Sequence, residues 1–209
     1  MYREFSVAFP LQPFIQTIWC IKAEAGLFTR PDRLIPDGNI EVMLNFGDVF
    51  YQRKDPKAVF YSSTKGSCIV GQRSSYFFTS TVGKTDMISI SFKPGGLSPF
   101  VNFPLADIRD QTILFSDLKT HVFLEMEDRV AETDLLEEKV GVIQEILLKH
   151  FYRHQERVKK ANEIYPIIQS IPAFNSVAGF LKHNIIHERK LQRLFDNHVG
   201  ISPKFLQRI

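Results

Sequence analysis

The apolar residues of this chain change period partway along, and that change bounds the fold more tightly than any other feature. Between Phe14 and Phe92 they come in short alternating runs: FIQTIWCIKAE (14–24), NIEVMLNFGDVF (39–50), SCIVGQ, YFFTSTVG and DMISISF, separated by turn residues such as Pro36-Asp37-Gly38. Alternation rich in β-branched and aromatic residues is the pattern of half-buried strands. Lys93-Pro94-Gly95-Gly96 then breaks the chain, and from Asp117 onward apolar residues recur every three or four positions. The expected fold class is α+β, a β-rich N-terminal barrel or sandwich followed by helices.

The clearest helix is expected from about Asp134 to Tyr152. Asp134 can act as N-cap with Glu137 three residues later, and Leu136, Val140, Ile143, Leu147 and Phe151 form a wide stripe. Such a stripe packs on its own β domain or forms a dimer seam. The polar stretch QERVKK (155–160) is the candidate linker, which divides the chain into a sensor or dimerisation domain at 1–152 and a second domain at 153–209.

With 209 residues, 44% of them hydrophobic and 19 of them Phe, the chain can bury a core without disulfides or metals. Cys20 and Cys68 are expected as reduced core thiols. Glu4 and two prolines interrupt the N-terminal stretch where a signal peptide needs an apolar run, and there is no membrane-length apolar segment, so a cytoplasmic protein with no membrane partner is expected.

The formal charge of +3 hides an asymmetry: residues 1–148 hold 15 Lys and Arg against 19 Asp and Glu, whereas residues 149–209 hold 11 against 4. A basic segment behind a mildly acidic one suggests a nucleic-acid reader attached to another module. Within it, Asn175 or Ser176 can cap a helix to about Lys182, and His183-Asn184 permits a tight turn with Asn184 in the left-handed conformation. A second helix follows from about His187 to His198, Gly200 can end it, and Ser202-Pro203 can start another. On the 187–198 helix Leu191, Leu194 and Phe195 share one side, while Arg189, Arg193 and Asn197, flanked by Lys190 and Gln192, take the other. Arg forks onto guanine, Gln onto adenine and Lys pairs with phosphate, so this face has the chemistry of major-groove reading. A solvated surface helix would carry the same pattern.

The 175–209 segment resembles the first helix-turn-helix of AraC-type transcriptional regulators, through His187, Leu191, Arg193, Phe195, Gly200 and Ser202-Pro203-Lys204. The resemblance implies base contacts from Arg189, Gln192 and Arg193 and a phosphate contact from Lys204; His187 and Lys190 complete the expected DNA-binding set. Three positions depart from the family pattern: Leu181 replaces a small residue, Ile185 replaces a turn glycine, and Pro166 falls inside the expected preceding helix, where it should kink or restart it. Asn184 is the residue expected to take over the glycine's role. Such regions carry two helix-turn-helix units, and the sequence stops at Ile209 within the linker helix, so the expectation is a fragment of a longer regulator, with a naturally shortened one as the alternative. The first 150 residues resemble the sensor-like N-terminal domain of one branch of these regulators, many of them bacterial, through Ile35-Pro36-Asp37-Gly38, Val70-Gly71-Gln72 and Ser91-Phe92-Lys93-Pro94-Gly95-Gly96. That resemblance implies effector sensing or dimerisation and carries over no particular ligand.

Catalytic chemistries find little to work with. Residues 1–148 contain one histidine, His121, too few for a cupin-type metal site, and the chain has no phosphate loop and no Gly-x-Ser-x-Gly elbow. No catalytic residue, metal or cofactor is expected. The aromatics Trp19, Phe46, Tyr76 and Phe78 are the candidates to line an apolar effector pocket. The reading is a DNA-binding regulator whose partners are double-stranded DNA and a small-molecule effector or a second copy of the chain. The alternative is a small-molecule-binding or enzymatic β-barrel whose helical tail packs or dimerises.

Overall fold

The structure, a computed structural model, describes residues 1–26, 31–55, 57, 62–118 and 120–209. Its centre is a sheet built from β2 (Ile15–Ala23), β9 (Thr85–Phe92) and β4 (Ile40–Asn45), extended by β1 (Tyr2–Phe5), β7 (Cys68–Val70) and β10 (Thr112–Leu114). Its strand order is β1-β2-β9-β4-β7-β10, antiparallel throughout. A second antiparallel sheet runs β3 (Asp32–Leu34), β8 (Phe77–Thr81), β5 (Phe50–Arg53) and β6 (Ser62–Thr64). The expected α+β class is what folds. Of the two expected β architectures, no closed barrel forms among the described residues; the two sheets stay separate.

Register gives the larger sheet two unlike faces. Ile18 and Val42 both lie opposite Ile90, and Cys20 and Leu44 both lie opposite Ile88, making one face aliphatic. One residue along, Trp19 and Met43 lie opposite Ser89, and Thr17 and Glu41 opposite Ser91. Because side chains alternate along a strand, this second set points the other way. The aliphatic face is covered by α1 (His121–Ala131) and α2 (Leu136–Arg153), whose Phe123, Met126, Ile143 and Leu147 join it in the principal core. The stripe on α2 therefore packs on its own β domain. Both cysteines are free and buried, and burial pushes the Cys68 thiol up to about 12.

At the start of α2 a local expectation is corrected. Asp134 does not cap α2: the helix starts at Leu136 with no side-chain cap, and Glu137, which would have closed the capping box, reaches 2.6 Å to Arg3 of β1 instead. The stretch 155–160, the candidate linker, forms the first turns of α3 (Gln155–Ser170), and Val158 and Ala161 are buried in the principal core. Pro166 lies inside α3 without ending it, so one intrahelical bond is lost and the helix runs on.

The second half of α3 belongs to another core. Ile168 and Ile171 pack with Phe180 of α4 (Val177–Asn184), Leu191 and Phe195 of α5 (Glu188–His198), and Leu206 of α6 (Pro203–Leu206). Ser176 caps α4 by accepting from Gly179 N at 3.0 Å, and Ser202 caps α6 by accepting from Phe205 N at 3.2 Å. Gly200, at φ 94°, turns the chain out of α5, its N–H donating to Phe195 O. At the end of α4 it is Ile185, not Asn184, that adopts the left-handed conformation, at φ 52°. Asn184 stays helical and donates its side-chain amide to Phe180 O. Among the described residues no helix is long and apolar enough to cross a membrane.

Candidate functional site

A cavity of about 340 Å³ opens between the two sheets. The face of the larger sheet that points away from the helices supplies Trp19, Ile21, Glu41, Met43 and Met87; the smaller sheet supplies Leu34, Phe50, Gln52, Phe77 and Thr79. The turn at Pro36–Asn39 and the segment Val70–Arg73 form its lip. That volume and apolar character with a few convergent polar groups suit a small-molecule site.

Polar chemistry in the cavity centres on Glu41. Its carboxylate accepts from the Ser89 hydroxyl, and Ser91 is its cross-strand partner on β9. Burial pushes its pKa up and the Asp37 charge adds to the rise, while the Ser89 hydroxyl opposes it. Part of the side-chain surface stays open only because it faces the cavity. Across the floor, the Arg73 guanidinium donates to Asp110 O at 2.7 Å and Gln52 Oε1 at 3.1 Å, bonds Thr112, and lies 4.8 Å over the Phe77 ring.

Of the four aromatics expected to line a pocket, Trp19 does. Phe78 follows Phe77 on β8, so alternation turns it out of the cavity, where it meets exposed Tyr76 edge-on at 5.9 Å. Phe46 lies just past β4, where the Asn45 side chain bonds Gly47 N and Asp48 O and redirects the chain; its ring packs on the principal core beneath Lys139. Sequence reasoning missed Glu41, Gln72 and Arg73 as cavity residues. A signal was present in β9, where Ser89 and Ser91 alternate with Ile88, Ile90 and Phe92, but reading it requires knowing that both faces are covered.

The second site is the outer face of α5. Arg189, Lys190, Gln192 and Arg193 are exposed, as are His187 before the helix and Lys204 on α6, while Leu191 and Phe195 are buried beneath. Gln192 donates to Asp196 at 2.9 Å. Among the described residues no carboxylate pairs with Arg189, Lys190, Arg193 or Lys204. The residues the sequence singled out are thus all exposed, His187 and the four on α5 in one segment and Lys204 on the next helix.

The lip also meets the C-terminal segment that carries α5 and α6. Buried Gln72 donates its side-chain amide to Gly38 O. A Cβ on Gly38 would lie 2.8 Å from Ile209 Cδ1 and 3.4 Å from Leu206 Cδ1, and one on Gly200 would lie 3.4 Å from Gln72 Cγ. The Ser98 hydroxyl is hydrogen-bonded to His198 Nδ1 at the end of α5. The lip of the cavity is therefore also the seat of the C-terminal helices.

The fold is thus a cavity-bearing pair of antiparallel sheets that seats a small basic helical unit. A family model described as a domain of unknown function, DUF6597, matches residues 3–114, and the chain belongs to that family. The match begins in β1 and ends with the last residue of β10, so the family unit comprises the two sheets and the cavity between them. No curated protein and no solved structure matches the chain.

Proposed function

We propose that this protein is a DNA-binding transcriptional regulator of the AraC type, in which α4 and α5 act as a helix-turn-helix and the cavity holds an effector. The observation that carries the reading is the outer face of α5, where Arg189, Lys190, Gln192 and Arg193 are exposed and free of carboxylate partners among the described residues, over a buried Leu191 and Phe195. Forked donors on a helix that can lie in the major groove read base edges, and Lys204 at the start of α6 suits a phosphate. An effector would act through the lip: occupancy moves the 36–39 turn or Gln72, and both touch the C-terminal helices.

Duplex binding, followed by fluorescence anisotropy across a range of salt concentrations, tests this. One reading helix makes few base contacts, so the chain should bind duplexes at ~10⁻⁴ to 10⁻⁶ M with a steep salt slope and little sequence preference. Lys204→Ala should shallow that slope by about one ion. Against the best duplex recovered from a random pool, Arg189→Ala and Arg193→Ala should each cost ~1–3 kcal/mol with circular dichroism unchanged. Duplex affinity untouched by all three substitutions would overturn the reading.

A further inference from the structure

Of the three carboxylates lining the cavity, Asp32 and Asp37 are exposed, whereas that of Glu41 is drawn into the fold. It stands second in β4, on the face where its neighbour two residues on is Met43, with the Ser89 hydroxyl donating to it and Ser91 its cross-strand partner on β9. A hydroxyl donor favours the charged carboxylate, while burial pushes its pKa up and works against that charge. Yet among the described residues no Lys, Arg or His lies within ion-pair distance of it. A buried charge is costly unless a counter-charge accompanies it.

We propose that the cavity binds an apolar molecule carrying one basic nitrogen, a hydrophobic amine or quaternary ammonium, with Glu41 as its counter-ion and the Trp19 indole beside the cation. The electrostatics of the wall favour that sign. Asp32 and Asp37 also line the cavity, and its Arg73 is engaged by Gln52, Thr112, the Asp110 carbonyl and the Phe77 ring. An anion would face Glu41 and Asp37 without compensation. A neutral apolar ligand would displace water from the Glu41 carboxylate and return nothing. A polyol would leave most of its hydroxyls against Ile21, Leu34, Met43, Phe50 and Met87. A cationic head on an apolar body satisfies both parts of the wall: thioether side chains adapt to such bodies, and aromatic faces attract cations. The inference rests on the proposed function only in taking this molecule to be the effector; the cavity chemistry stands without DNA.

Trp19 is the single tryptophan of the chain, so intrinsic fluorescence reports on the site itself. Three compounds with one body and different heads are titrated into the full chain: 4-phenylbutylamine, 4-phenylbutan-1-ol and 4-phenylbutyrate. The amine is expected to change Trp19 emission saturably and to bind at least about tenfold more tightly than the alcohol, with the carboxylate weakest. In Glu41→Gln the amine should fall to within about threefold of the alcohol, whose own affinity should hold. Should that variant not fold, the order of the three compounds on the wild-type chain decides alone. The proposal is overturned by an alcohol that binds as well as the amine, by tightest binding of the carboxylate, by an amine preference that survives Glu41→Gln, or by no response of Trp19 to any of the three at millimolar concentration. None of these outcomes involves DNA, so each leaves the DNA reading to its own assay, and a failure of duplex binding leaves the amine preference intact.

Discussion

α3 joins two cores that solve the burial problem in different ways. The principal core spans sheet and helices, with Phe14, Phe92, Phe100 and Phe123 all fully buried and aliphatic strand faces behind them. The second core is a small cluster in which short helices cover Ile168, Phe180, Leu191 and Phe195; it leans on loops of the β unit at Gly38 and Gly95, and its own Gly200 sits against Leu105 and Gln72. A small core has little stability to spare, so the C-terminal unit should be the part whose order depends on its surroundings.

Paired substitutions break that comparison most sharply. Phe123→Ala and Phe195→Ala each empty a fully buried site and should each cost ~3–5 kcal/mol. The consequences should differ. Phe123→Ala should lower the stability of the whole chain, whereas Phe195→Ala should release α4 to α6 to proteolysis and leave the two sheets intact, with Trp19 fluorescence near its native value. Simultaneous loss of both regions in Phe195→Ala, by circular dichroism and limited proteolysis, would show that the cores are one cooperative unit.

The seam between them is probed at Gly200. Its φ of 94° disfavours any side chain, and a Cβ there would lie 2.8 Å from Leu105 O. Gly200→Ala should therefore cost ~1–3 kcal/mol, falling on the seating of the C-terminal unit. The expected result is faster cleavage within residues 177–206 and an unchanged sheet unit; an unaltered cleavage pattern would mean that this contact does not hold the tail.

Acid should sharpen the comparison from the other side, through His150, whose ring lies 5.9 Å from that of Phe100 in the principal core. Burial, with His154, Arg157 and Arg153 adding repulsion, pushes its pKa down to about 4 from the ordinary 6.5. Folded protein then binds fewer protons than unfolded protein, so the contribution of His150 is complete above pH 6.5 and is lost as pH falls toward 4. A dry site would lose ~3 kcal/mol over that window; His150 is half-buried, and the solvent-screened loss should be about 1–2 kcal/mol. Denaturant unfolding at pH 7 and pH 4.5 checks this: the difference should shrink in His150→Asn, and a pH dependence identical in both proteins would assign it elsewhere.

What could be read without the structure follows the locality of the signal. The α5 face was legible because period, caps and turn residues all lie within one short segment, from Ser176 to Lys204. The cavity was not, because Trp19, Glu41 and Ser89 meet only through strand register, and aromatic content alone could not tell Phe77 from Phe78. The 155–160 stretch reads as a linker because its polar residues outnumber the buried Val158, and Pro166 looked like a break although the helix absorbs it. β1, with three of its four residues exposed, gave no alternating pattern to detect; it is placed by pairing with β2.

The smallest expected effect concerns the turn between α4 and α5, and it separates local strain from packing. Ile185 holds a left-handed backbone at φ 52°, a region that β-branched residues adopt at a cost of order 1–2 kcal/mol. Its side chain is 92% exposed, so little packing offsets that cost. Its backbone position is fixed by the turn, since the following Ile186 N–H closes onto Leu181 O at 3.2 Å. Ile185→Gly should therefore relieve the strain, lose a little to the greater freedom of the unfolded chain, and stabilise the C-terminal unit by about 1 kcal/mol. The measurement is slower proteolysis within residues 177–206 with the unfolding of the sheet unit unchanged. Ile185→Ala, which retains a Cβ in the left-handed region, should recover only part of that gain. A Gly variant less stable than wild type would mean that Ile185 makes a contact worth more than the strain it bears.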